Sequence, residues 1–183
     1  MAITASTMVE LGTRMPDFSL PDPRGGTYGR ADFEGRQGCV VVFMCNHCPA
    51  VKHLASALGA FAKWCESVNV SFVGINANDA ATYPADAPEK MIEEAQKNDW
   101  TFPYLHDETQ NVARAFGAAC TPDFFLFDKT GRLAYRGQFD ASRPGNKERV
   151  SGVDLRNAVQ ALLNGSYPPD TQYPSSGCNI KWR

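Results

Sequence analysis

Long hydrophobic runs are missing from this 183-residue chain: no stretch approaches the roughly 18 consecutive apolar residues of a membrane span. No membrane partner is expected. An excess of one charge sign is missing too. Lys and Arg number 18 against 20 Asp and Glu, a net charge of -2, which removes the broad electrostatic case for nucleic acid or an anionic surface as partner. The start of the chain carries neither a basic segment nor an apolar stretch, so no secretory signal is expected and the expected location is cytoplasmic. Internal repeats and low-complexity segments are lacking. So is a second close pair of cysteines: of Cys39, Cys45, Cys48, Cys65, Cys120 and Cys178, only Cys45 and Cys48 are near neighbours. A structural zinc site needs a second ligand pair at defined spacing, so no metal and no other cofactor is expected. A disulfide framework is not required either, because a chain of this length can bury a core of its own. What remains is an ordinary globular composition, 43% hydrophobic and 21% charged, and the length of one domain, residues 1–183.

Glycine and proline punctuate the chain. Phe18-Ser19-Leu20 and Thr27-Tyr28, on either side of Arg24-Gly25-Gly26, predict a small N-terminal hairpin. Cys39-Val40-Val41-Val42-Phe43-Met44 is a continuous apolar run, the pattern of a strand buried on both faces. After Pro49 the period changes. Val51, Leu54, Leu58, Phe61, Ala62 and Cys65 recur at mostly three and four, a helix stripe. Residues 70–75 predict a second buried strand, 86–98 a helix with Pro88 in its first turn, and 109–116 a short helix closed by Gly117. Residues 123–128 and 133–139 predict strands joined by the turn Lys129-Thr130-Gly131, and 153–163 a last helix. The tail, 165–183, is expected to be irregular. Strand–helix–strand crossovers need parallel pairing, and the late hairpin adds an antiparallel part. The expected fold is therefore α/β, one central mixed sheet with helices on both faces.

Cys45-Asn46-His47-Cys48 falls where a buried strand gives way to a helix. A helix N-terminus offers unpaired N–H groups and partial positive charge, and both favour thiolate over thiol. Cysteines so placed titrate at about 3.5–7.5 against about 8.5 for a free thiol. The spacing of three puts both side chains on one side of the first turn, so the pair can close to a disulfide. A protonated His47 would stabilise a thiolate further and make the couple more oxidising; a solvated loop histidine is the equal alternative. Half a zinc site and a pair of inert core cysteines compete with a redox role, which the solitary placement of the other cysteines favours. A second segment, Cys120-Thr121-Pro122, leads into an apolar strand. Local sequence favours a trans Thr121–Pro122 bond; a cis bond would offer the Thr121 backbone as an edge for an extended substrate. Cys39 and Cys65 are expected in the core. Cys120 and Cys178 are candidates for approaching the pair, Cys178 only if the tail folds back.

These segments resemble the thioredoxin-like superfamily. Met44-Cys45-Asn46-His47-Cys48 after a hydrophobic strand is similar to its first signature, and Thr121-Pro122 before Phe124-Phe125-Leu126-Phe127-Asp128 to its second. Met15-Pro16-Asp17-Phe18-Ser19-Leu20 and Asp107-Glu108 with the helix after them resemble the peroxiredoxin and bacterial thiol-reductase branch. Gly177-Cys178-Asn179-Ile180-Lys181-Trp182 is similar to the tail of a group of little-characterised redoxin-domain proteins. The resemblance implies a thioredoxin-like fold with an N-terminal β-hairpin extension and an insertion, residues 76–100, before the third core strand. Cys45 then matches the exposed, attacking cysteine, Cys48 the more buried resolving cysteine, and Pro122 the family's cis-proline. Two departures stand out. Met44 replaces the tryptophan that precedes the pair in thioredoxin. When Cys48 is aligned with the peroxidatic cysteine, the proline and threonine of peroxiredoxins fall on Val41 and Cys45, and no arginine matches theirs.

The resemblance thus implies thiol–disulfide exchange, with Cys45 and Cys48 catalytic, His47 tuning the thiolate, and Thr121 and Pro122 binding the substrate. The partners implied are a thiol or disulfide substrate and an unidentified reductant, with a homodimer as one assembly known in the peroxiredoxin branch. Two alternatives stay open. One is a peroxiredoxin-like thiol peroxidase, with Cys48 peroxidatic and Cys45 resolving. The other is a copper or zinc carrier using Cys45, Cys48 and a histidine.

Overall fold

The apolar run at the centre of the sequence lies at the centre of the molecule. The structure, a computed structural model, describes residues 3–183. Strand β1 (Ile3–Ala5) precedes the hairpin of β2 (Ser19–Pro21) and β3 (Thr27–Gly29). Gly25 and Gly26 make its turn at positive φ, a conformation glycine adopts without Cβ strain. There follow β4 (Gly38–Phe43), α1 (Pro49–Ser67), β5 (Val70–Asn76), α2 (Pro88–Lys97), β6 (Tyr104–His106) and α3 (Asn111–Phe116). The chain ends with β7 (Cys120–Thr121), β8 (Asp123–Asp128), β9 (Leu133–Gly137), α4 (Val153–Leu163) and β10 (Ser176–Asn179).

The main sheet has the order β6-β5-β4-β8-β9. β4 runs parallel to β5, with Val40 opposite Phe72, and antiparallel to β8, with Val40 opposite Leu126. The sheet is therefore mixed, as the sequence pattern predicts. Alternate side chains of β4 enter separate apolar layers. Val40 and Val42 pack with α1, α2 and α4 through Leu58, Met91 and Leu155. Val41 and Phe43 pack with α3 and the N-terminal hairpin through Phe116, Phe18 and Leu20. Each such side chain contributes about 1.5–3 kcal/mol by leaving water. A strand covered on both sides must be apolar at every position, which is why β4 reads as a run rather than an alternation.

Two sequence expectations are corrected. The tail is not wholly irregular: β10 lies between β1 and β7 in a second, antiparallel sheet, with Cys178 opposite both Ile3 and Thr121. The expected strand 133–139 stops at Gly137, whose φ of 136° belongs to glycine and where a Cβ would stand 2.1 Å from the Tyr173 carbonyl. The insertion before β6 is present as a loop over residues 77–87 followed by α2. Among the described residues no helix is long and apolar enough to cross a membrane.

Candidate active site

The β4 ladder continues for one residue, as the Met44 N–H donates to the Ile75 carbonyl at 2.9 Å. The chain then leaves the sheet through Cys45, Asn46 and His47. Cys48 is the N-cap residue of α1 in an extended conformation, and Pro49 is the first helical residue, where a missing N–H costs nothing. Cys45 therefore reaches the helix mouth from the preceding loop rather than from the first turn. Its thiol is next to the Cys48 sulfur, and its Sγ lies 3.5 Å from Thr121 Oγ1. Cys48 Sγ stands 3.4 Å from the Thr121 carbonyl oxygen and 2.6 Å from Cys178 Sγ. The Thr121–Pro122 peptide is cis.

This arrangement divides the charge unequally. The Cys48 thiol is lowered from 9.0 to about 4, chiefly because Cys45 donates to it; Cys178, Thr121 and the Val51 N–H in the first helical turn add to this against the opposing effect of burial. The Cys45 thiol is raised well above its ordinary value by donating to Cys48, by burial and by the nearby Asp86 carboxylate. Cys178 is pushed up to about 12 by burial, by its bond to Cys48 and by the charge there. The surroundings thus favour the anion on Cys48 over Cys45 and Cys178.

Asp86 organises the other side of the site. It is fully buried. Its Oδ1 accepts from the Asn46 N–H at 2.7 Å and from Asn76 Nδ2 at 3.3 Å, and its Oδ2 from Asn78 Nδ2 at 2.9 Å. His47 Nδ1 lies 2.5 Å from Oδ2. Asn46 is fixed further by the Tyr104 hydroxyl, which donates to its Oδ1, and by its own Nδ2 donating to Ala85 O. The Tyr83 ring lies parallel to the His47 imidazole, with centroids 6.1 Å apart. Ligand atoms of Cys45, His47 and Asp86 fall within 4.8 Å of one another, a set that could in principle hold a metal. The fit is poor, because the imidazole and the carboxylate are already in direct contact and leave no room for an ion between them.

The AhpC/TSA family model matches residues 11–136, which contain both cysteines and the Thr121–Pro122 segment. The chain belongs to the AhpC/TSA family. Peroxiredoxin Bcp of Escherichia coli is 26% identical over 154 residues, 78% of this chain and 92% of that protein. Thiol-disulfide oxidoreductase ResA of Geobacillus thermodenitrificans is 25% identical over 131 residues, 71% of this chain and 70% of that one. The crystal structure of an uncharacterised conserved protein from Geobacillus kaustophilus is 46% identical, covers 100% of this chain and 97% of that one, and superposes with a TM-score of 0.98.

In this AhpC/TSA member the structure brings Cys45, Cys48, Thr121 and Pro122 together, with His47 beside them, but it departs from the implied roles in two respects. Neither cysteine of the pair is exposed: 1% of Cys45 and none of Cys48 meets solvent, with Thr121 and the insertion loop carrying Asp86 close against Cys45. The Thr121 edge is not open to a substrate either. It is 2% exposed and paired with β10. Of the remaining cysteines, Cys39 and Cys65 are in the core as expected. Cys120 points toward Pro122 O at 3.7 Å, whereas Cys178 touches Cys48. Sequence reasoning missed Asp86. The signal available was the set Asn46, Asn76 and Asn78, polar amides at or just past the ends of two buried strands, which buried positions tolerate only around a partner.

Proposed function

We propose that the protein is a thiol–disulfide oxidoreductase in which Cys45 and Cys48 cycle between dithiol and disulfide, with the Cys48 thiolate as the resting nucleophile. The observation that carries this is the placement of the Cys48 sulfur at the N-cap of α1, beside Cys45, 2.6 Å from Cys178 Sγ and 3.4 Å from the Thr121 carbonyl oxygen, where its thiol is lowered by these neighbours and the Val51 N–H. The Cys48 thiolate attacks one sulfur of a substrate disulfide, that bond breaks, and one substrate thiolate leaves. Cys45 then loses its proton toward the Asp86 carboxylate and attacks Cys48 Sγ. The second substrate sulfur departs as a thiolate, and two electrons have passed from protein to substrate. A thiol reductant, such as a cytoplasm supplies, resets the pair by the reverse exchange. His47 acts through Asp86 as a positioning residue, and Pro122 holds Thr121 against both sulfurs.

A thiol peroxidase is the second reading, favoured by the burial of both sulfurs, which admits a small peroxide more readily than a protein disulfide. Cys48 would become a sulfenic acid, and Cys45 would condense with it and release water. A metal carrier receives no such support, since His47 and Asp86 are engaged with each other.

The test removes both thiols that touch Cys48. Cys45→Ser/Cys178→Ser should retain an insulin-derived or glutathione adduct on Cys48, while the wild type reduces insulin with dithiothreitol. No adduct on Cys48 together with no insulin reduction overturns the proposal. Rapid trapping of a sulfenic-acid probe on Cys48 after peroxide, without insulin reduction, selects the peroxidase.

A further inference from the structure

The sulfur in contact with Cys48 across the site comes from the tail, 130 residues away in sequence. We infer that Cys178 is a third redox-active cysteine, which exchanges with the Cys45–Cys48 disulfide to give a Cys48–Cys178 disulfide and a Cys45 thiol. This builds on the dithiol exchange proposed above.

Geometry carries the inference. The two sulfurs are 2.6 Å apart, 0 and 4% of the respective residues being exposed. Cys178 is not a swinging tail residue. Its strand is paired on one side with β1, Ile3 opposite Cys178, and on the other with β7, Cys178 opposite Thr121. Beyond the strand, Ile180 N–H donates to Ala119 O at 3.2 Å, and Lys181 N–H to Asn78 Oδ1 at 2.9 Å. The close approach is built into the sequence at Gly177. A Cβ there would lie 2.0 Å from Thr121 O and 3.2 Å from Ala50 Cβ, so only glycine lets β10 lie this near the helix mouth. The other candidate, Cys120, has its sulfur on the Pro122 carbonyl oxygen at 3.7 Å.

Cys48 is consequently the middle sulfur of three, and the exchange balances without any outside oxidant. The Cys178 sulfur attacks Cys48 Sγ, the Cys45–Cys48 bond breaks as the Cys48–Cys178 bond forms, and the proton given up by Cys178 ends on Cys45. The oxidising equivalents stay within the protein. They move from the insertion-loop side of the site to β10, the strand that occupies the Thr121 edge. In this state β10 is covalently fixed to α1 and the edge is closed. Reduction of the Cys48–Cys178 bond returns β10 to hydrogen bonds alone.

The experiment uses glutathione as the leaving group. Full-length Cys45→Ser is charged at Cys48 with oxidised glutathione, and glutathione release is followed beside Cys45→Ser/Cys178→Ser. Cys45→Ser should release glutathione at least about tenfold faster, the advantage of a thiol held in contact, and should yield a Cys48–Cys178 linked peptide on non-reducing digestion. Cys45→Ser/Gly177→Ala, with the thiols unchanged, should lose most of that advantage because β10 is pushed from the edge. Equal release from Cys45→Ser and the double cysteine variant, with no linked peptide, overturns the inference. If the wild type still reduces insulin in that case, the Cys45–Cys48 proposal stands and only the role of Cys178 fails; loss of insulin reduction with no adduct on Cys48 instead sinks the underlying exchange.

Discussion

Cys48 and Asp86 are buried acidic groups supported by different means. The Cys48 sulfur lies among the Cys45 and Cys178 sulfurs and the Val51 N–H, whereas Asp86 accepts from two amide side chains and a loop N–H and stands against the His47 imidazole. The largest influence on Cys48 is the Cys45 donor, so Cys45→Ala should raise the Cys48 value above about 4, seen as an upward shift in the pH dependence of iodoacetamide alkylation. An unshifted profile would remove Cys45 from the account of the thiolate. The folded value lies below the ordinary 9.0. The contribution of Cys48 to stability of the reduced protein is therefore fully present above about pH 9, shrinks as pH falls, and is gone below about pH 4. Cys48→Ser should accordingly lose more stability relative to wild type at about pH 8 than at about pH 5 in urea unfolding of the reduced proteins. Asp86→Asn replaces an accepting oxygen with an amide donor facing the donors of Asn46, Asn76 and Asn78, and should cost about 2–3 kcal/mol in the same measurement. It should also lower the Cys45 value, since the carboxylate raises it. At this scale the sequence made the cysteines and Thr121-Pro122 legible because the chemistry sits in adjacent residues. It did not reveal Asp86 or the Cys178 contact, which exist only once distant segments meet.

Elements that bury one stripe or both faces were readable from their period. The β4 run, the three-and-four stripe of α1 and the closing helix α4 are where the pattern puts them. β10 was not readable. Ser176-Gly177-Cys178-Asn179 has no apolar alternation, and its strand character comes from ladder bonds to β1 and β7 rather than from its own side chains. The insertion loop was located in sequence, but its use as a cover was not. Tyr83 is the outer ring of that cover, 38% exposed and stacked on His47. Tyr83→Ala should speed alkylation of Cys45 several-fold while changing stability by less than about 1 kcal/mol, since a half-exposed ring contributes little burial. An unchanged alkylation rate would show that the loop does not control access to Cys45.

For the molecule as a whole, the mixed sheet separates two apolar layers, and the site lies at the end of the strand that both layers share. The family resemblance and the crossover pattern together were enough to expect this architecture, because strand order follows from which connections carry helices. The rigidity of the site depends on that core. Phe124, fully buried and stacked on Phe139 at 5.4 Å, should cost about 3–5 kcal/mol on replacement by alanine. The central claim is that the sulfurs at the head of α1 form a reversible redox couple. Equilibration of the full chain in buffers of reduced and oxidised dithiothreitol, with each state read by mass spectrometry of alkylated peptides, tests it most directly. The account predicts one reversible two-electron transition that removes two alkylatable thiols, with the disulfide found at Cys48 in every oxidised molecule. A Cys48 that stays alkylatable across the whole range, or that passes irreversibly to the sulfinic acid, would contradict it.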